Sequence, residues 1–152
     1  MTSPAPRSHM QAALAQAEAA AARGEVPVGA VLVASDGRVL ARAGNRTREL
    51  ADPTAHAELL AIREACRVLG SERLDGTDLY VTLEPCPMCA AAISFARIRR
   101  LYFGALDPKG GGVEHGARIF TQPTCHHAPQ VYGGIEETRA GDLLRSFFSS
   151  RR

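Results

Sequence analysis

Residues 79–89 read Leu79-Tyr80-Val81-Thr82-Leu83-Glu84-Pro85-Cys86-Pro87-Met88-Cys89. The first half is strand-forming, and residues 78–83 are predicted as a strand. Pro87 is harmless at the first position of a helix, where a missing N–H removes no hydrogen bond. The alanine-rich residues behind it predict a helix from 87 to about 96. Residues 99–104 read as the next strand.

Upstream, residues 9–23 are rich in alanine with scattered Gln, Glu and Arg, a strong helix composition that Gly24 stops. Residues 26–34 read as a buried strand, Asp36-Gly37 as a hairpin turn and 38–44 as the antiparallel partner. Asp52-Pro53 joins a capping residue to proline at the first helical position, opening a helix that runs to Leu69 before Gly70. Residues 136–148 read as a closing helix, while the stretch 107–129, rich in Gly and Pro, takes no assignment. Alternation of strand and helix after the hairpin predicts an α/β chain with a mostly parallel sheet covered on both faces.

With 152 residues, 45% of them hydrophobic and 22% charged, the composition is that of one ordinary globular domain burying a core without disulfides. A net charge of +2 does not announce a nucleic-acid partner, although every basic residue except Lys109 is arginine. Cys66 falls in an apolar helical pattern and Cys86 and Cys89 are claimed by their own spacing, so a reduced, cytoplasmic protein is expected. No apolar run approaches the roughly 18 residues of a membrane span, and residues 1–10 lack the hydrophobic centre of a signal peptide.

Side chains two apart on a helix point to nearly opposite sides, so His56 and Glu58 cannot serve one site from a helix interior. They belong at a helix start, where Asp52-Pro53 puts them. Cys86 and Cys89, three apart, share one face of the first turn of the following helix. Two helix beginnings then converge, and their partial positive charge favours thiolates. One histidine and two cysteines form a soft donor set for zinc with a fourth position left for water, whose pKa on the metal falls to about 7. Glu58 is the natural proton shuttle. Taken alone, CxxC is also the mark of a structural zinc corner or a redox pair, and a structural site would take a fourth ligand from Cys125, His126 or His127. The two motifs together, each preceded by helix-start signals, favour the catalytic arrangement.

Around these motifs lie Glu25-Val26-Pro27-Val28-Gly29-Ala30-Val31-Leu32, Gly44-Asn45-Arg46, Asp52-Pro53-Thr54-Ala55-His56-Ala57-Glu58 and the closing Phe147-Phe148-Ser149-Ser150-Arg151-Arg152. Over nearly its whole length the chain thus resembles the zinc-dependent cytidine deaminase-like superfamily and, within it, the bacterial tRNA-specific adenosine deaminases. The resemblance implies a three-layer α/β/α fold with a mixed five-stranded sheet. It implies one zinc ion per subunit on His56, Cys86 and Cys89, with Glu58 as general acid and base. The implied reaction is hydrolytic deamination of the wobble adenosine in a tRNA anticodon stem-loop, foremost an arginine tRNA, to inosine and ammonia. The implied assembly is a homodimer.

The same resemblance assigns further contacts. Asn45 would hydrogen-bond the purine, the Ala57 N–H the substrate edge, Asp107 the ribose and Lys109 a phosphate. One of Phe147 and Phe148 would face inward while the other, with Arg151 and Arg152, offers a stacking and phosphate surface. Each has a plainer reading: Asn45 and Asp107-Pro108 as turn residues, Lys109 as a solvated lysine, the arginines as a frayed end. Gly110-Gly111-Gly112 reads as a loop able to adapt to RNA. Two other functions fit the motifs: a deaminase of free guanine, cytosine or a small nucleoside, and a noncatalytic zinc-stabilised RNA-binding module.

Overall fold

A computed structural model describes residues 5–151. Its elements are α1 (Ala5–Ala22), β1 (Gly29–Val33), β2 (Val39–Gly44), α2 (Ala57–Leu69), β3 (Asp78–Leu83), α3 (Pro87–Ala96), β4 (Arg100–Ala105), a short 3-10 turn (Ile119–Thr121), β5 (Gln130–Tyr132) and α4 (Glu137–Ser149). The strands form one sheet in the order β2-β1-β3-β4-β5. β1 pairs antiparallel with both β2 and β3, whereas β3–β4 and β4–β5 are parallel. The expected mostly parallel sheet is therefore half antiparallel. The reason lies in the chain path: α2 carries the chain from β2 across β1 to its free edge, so β3 runs with β2 but bonds to the oppositely directed β1.

The pleat sorts alternate residues into two cores. Ala30, Leu32, Leu79, Val81, Leu101 and Phe103 face Ala61, Ile62, Ala90 and Ile93 of α2 and α3. Val31, Val33, Tyr80 and Ala105 face Met10, Ala13 and Leu14 of α1 and Ala140 of α4. Each large side chain fully buried there, such as Phe103, Ile93 or Leu14, contributes about 1.5–3 kcal/mol. α1 lies so close to the sheet that a Cβ on Gly29 would stand 1.9 Å from the Ala13 carbonyl oxygen. Only glycine permits that approach.

Two features escaped the sequence pattern. β5 is three residues long, too short for periodicity to register, and it exists because Gln130, Val131 and Tyr132 add to the free edge of β4. The unassigned stretch before it holds the 3-10 turn and otherwise irregular backbone. No helix among the described residues is long and apolar enough to cross a membrane.

Candidate active site

The site is built where α2 and α3 begin. His56 is the last extended residue before α2 (φ −72°, ψ 151°), Ala57 opens the helix and Glu58 follows. The helix starts at Ala57 rather than at Pro53, because Asp52 closes a turn instead: its Oδ1 accepts the Thr54 N–H at 2.8 Å and the Thr54 hydroxyl at 2.7 Å. Such local bonds compete with helix capping. The delay leaves His56 outside the helix, free of the rule that opposes residues two apart. Cys86 repeats the device before α3, extended at φ −70° and ψ 170° with Pro87 behind it. Neither the imidazole nor the thiol caps its own helix, so both remain available as ligands.

His56 Nδ1 lies 3.6 Å from Cys86 Sγ and 3.4 Å from Cys89 Sγ. A tetrahedral zinc ion with Zn–S of about 2.3 Å and Zn–N of about 2.0–2.1 Å keeps N and S about 3.6 Å apart, so the trio fits that metal. Among the described residues these three form the metal-competent group, with donor atoms all within 4.8 Å of one another. The alternative fourth ligands are engaged elsewhere. Cys125 meets Ser94 Oγ at 3.4 Å, His126 packs on the Phe95 ring, and His127 Nε2 donates to the Ile98 carbonyl at 2.8 Å.

Electrostatics support a thiolate at Cys86 beside a proton carrier at Glu58. The Cys86 thiol is pushed down to about 4, first by its hydrogen bond with Cys89 and then by His56, while that bond and burial push Cys89 up. His56 is raised, chiefly by its hydrogen bond to Cys86. Glu58, buried at 4% exposure, is pushed up to about 7 by loss of solvent. A carboxyl poised there takes up and releases protons near neutrality.

Above these groups opens a cavity of about 260 Å³ lined in part by Asn45, His56, Glu58, Cys86 and Asp107. That is below the about 300–1,000 Å³ of pockets for drug-sized ligands and suits a single base. Ala57 stands at the helix end whose N–H groups lack intrahelical acceptors. Lys109 is exposed and outside the cavity lining. Phe147 is the ring turned inward, with the Arg151 guanidinium 4.0 Å over it, so it supports α4 rather than offering a stacking face. Phe148 is the exposed ring; it lines a groove of about 520 Å³ that shares Leu83 and Asp107 with the cavity. Arg152 lies outside the described residues.

Two buried acids that sequence reading passed over organise the walls. Glu25 accepts hydrogen bonds from Asn45 Nδ2 (3.4 Å), Arg48 N (3.2 Å) and Glu49 N (2.8 Å), fixing the loop behind Asn45. Glu84 gathers the loop that carries Asp107. Burial opposes its charge, but the N–H groups of Asp107, Glu114 and His115 and the His115 ring hold its carboxyl below the usual range. An acid inside each of the apolar runs 25–32 and 79–85 was the available signal. The glycines of 110–112 also differ from expectation: Gly111 and Gly112 are buried, and a Cβ would fall 2.4 Å from Glu84 Oε2 and 2.6 Å from Pro87 N respectively. They serve close packing, not adaptability.

Residues 4–105 match the family described as the cytidine and deoxycytidylate deaminase zinc-binding region. A tRNA-specific adenosine deaminase of Agrobacterium fabrum is 66% identical over 149 residues, covering 97% of each chain. A solved structure from a study of A-to-I editing by tRNA:A34 deaminases superimposes with a TM-score of 0.88 at 67% identity, covering 90% of this chain and 99% of that one. The guanine deaminase of Bacillus subtilis is more distant, at 34% identity and a TM-score of 0.66 over 82% of each chain. The chain belongs to this family of zinc-binding deaminases and, within it, to the tRNA-specific adenosine deaminases.

Proposed function

We infer that this chain is a zinc-dependent hydrolase that deaminates the wobble adenosine of tRNA to inosine. The observation that carries the reading is a buried carboxyl poised near neutrality beside a His–Cys–Cys trio, with Glu58, His56 and Cys86 lining a base-sized cavity that shares Leu83 and Asp107 with a groove. His56, Cys86 and Cys89 hold the metal, which when bound supplies Lewis acidity toward water. Glu58 would take one proton from the attacking water and deliver it to N1 of the adenine as the C6–O bond forms, then carry the remaining proton of that oxygen to the amine as the C6–N bond breaks, leaving a carbonyl at C6. Water and adenosine become inosine and ammonia. Asn45, held by Glu25 and Thr47, orients the purine. The Ala57 N–H meets the substrate edge, and Asp107 meets the ribose at the rim.

The neighbouring groove supports an RNA substrate over a free base, since it shares Leu83 and Asp107 with the cavity and carries the exposed Phe148 and Arg145. Arg151 and Arg152 stand at the same end of the chain as phosphate contacts, and Lys109 adds a further cation. An arginine tRNA with an adenosine at the wobble position is the expected substrate, in the cytoplasm. The functional unit is a homodimer: Phe95 on α3 is 65% exposed and, with Leu59, Ile62 and Ala92, forms the apolar part of a surface groove edged by Arg63, Glu72, Arg73 and Arg97.

The test incubates zinc-loaded protein with that tRNA and, in parallel, with free guanine, cytosine, adenosine and cytidine, assaying inosine and ammonia. Inosine at the wobble position with the small molecules untouched is the expected result. Ammonia from a free base with inert tRNA would keep the metal chemistry and overturn the substrate.

A further inference from the structure

Glu84 takes no part in the chemistry above, yet its side chain is completely buried directly before the turn that carries Cys86. Its Oε1 accepts the Asp107 N–H at 3.0 Å and faces the His115 Nδ1 at 2.8 Å. Its Oε2 accepts the N–H groups of Val113 at 3.2 Å, Glu114 at 2.9 Å and His115 at 3.1 Å. All these donors come from one irregular segment that has no sheet or helix to satisfy its backbone. The segment begins at Asp107, a wall of the substrate cavity, and Gly110 is part of the same wall. Gly111 comes so close that a Cβ would fall 2.4 Å from Glu84 Oε2, and the Gly112 N–H donates to the Pro85 carbonyl at 2.8 Å.

We propose that Glu84 is a positioning residue for substrate specificity: its carboxylate clamps residues 107–115 onto the metal-ligand turn and so sets where Asp107 and Gly110 meet the RNA. Glu84 borders the cavity, but its side chain is fully buried with both oxygens occupied by protein donors, so the carboxylate acts through the segment and not on the substrate. The proposal rests on the tRNA-deaminase reading for its ligand.

The geometry says what a near-isosteric change does. In Glu84→Gln one side of the clamp becomes an NH2 group. Turned so that its oxygen keeps the three N–H groups of residues 113–115, the amide faces the Asp107 N–H with a donor, and His115 alone escapes by exchanging its ring proton. The lost acceptor therefore falls on Asp107. Gly111→Ala disturbs the clamp from the loop side, its methyl group meeting Glu84 Oε2 and the Asp107 carbonyl while the acid itself is kept.

Zinc-loaded full-length chains are compared in single-turnover deamination across concentrations of an anticodon stem-loop carrying a wobble adenosine. Glu84→Gln is expected to raise the half-saturating RNA concentration about tenfold, the scale of one buried donor left unpaired, with zinc content unchanged and the saturating rate within about threefold. An unchanged half-saturating concentration, whatever happens to thermal stability, overturns the proposal. If Glu84→Gln does not fold, Gly111→Ala carries the same comparison with the same two outcomes. Amide hydrogen exchange separates this idea from the substrate assignment. The N–H groups of Asp107 and its segment should lose protection in the variant while α2 and α3 keep theirs, even if the wild-type chain edits no RNA. Unaltered protection of that segment would also sink the clamp.

Discussion

At the level of single residues, Glu58 and Glu25 show how one environment, burial, is used in opposite ways. Glu58 loses water without a matching set of donors, and its carboxyl rises to about 7. Glu58→Gln keeps the shape but removes the titrating group. It should leave metal stoichiometry intact and lower kcat by about 10²–10⁴-fold, measured by metal analysis and turnover on the same preparation. Glu25 is buried as deeply, which works to raise its carboxyl, but the N–H groups of Glu49 and Arg48 and the charges of Arg23 and Arg48 hold it below its ordinary 4.5. A carboxyl lowered in the folded state adds stability that is fully present above the unfolded value and lost as pH falls through the folded one. Glu25→Gln should therefore cost about 1–3 kcal/mol at pH 7, and the gap to wild type should shrink once the pH is taken below 4.5. Urea denaturation at the two pH values reads both numbers. A gap independent of pH would mean that shape, not charge, is what the loop requires.

Among the elements, the two helix starts decide the site and the α1–sheet contact decides how firmly it is backed. α2 and α3 each begin immediately after an extended ligand residue, so their N-terminal partial charges lie against the same cluster. The start of α3 is legible to the residue because Pro87 stands at its first helical position. That of α2 is not, because Asp52 serves equally as a cap or as the acceptor of a turn, and Thr54 supplies two donors for the turn. On the opposite face, Gly29 admits α1 to contact. Gly29→Ala places a methyl group 1.9 Å from the Ala13 oxygen and 2.6 Å from the Ala17 nitrogen. Neither is a flexible side chain, so the helix must shift. Loss of about 1–3 kcal/mol is expected, with a fall in the urea midpoint at unchanged m-value. Retained stability would show that α1 floats on the sheet.

For the molecule as a whole, the groove beside the cavity and the bare surface of α3 are features that only the assembled layers create. Phe95 stands out at 65% exposure, and Met88 of the same helix is also exposed, apolar surface of the kind that partners cover. Phe95→Glu should convert a dimer to monomers in sedimentation without loss of helix content; a wild-type chain already monomeric at micromolar concentration would refute the assembly. Much of the fold and of the site is nonetheless legible in the residues themselves. The His56–Glu58 and Cys86–Cys89 spacings, Pro87 and the strand at 78–83 are local patterns, and local patterns follow from backbone sterics and helical periodicity, which sequence spacing encodes. What only the tertiary structure decides is non-local. It includes the antiparallel β1–β3 pairing, the three-residue strand at the sheet edge and the inward turn of Phe147. It also includes the roles of Glu25 and Glu84, whose partners lie twenty or more residues away along the chain. Residues 56, 58, 86 and 89 announce a metal and a proton carrier because that chemistry is written in residue type and spacing. The shape of the cavity that receives a substrate depends on which distant N–H groups a buried carboxylate gathers, and that is settled only when the chain has closed around it.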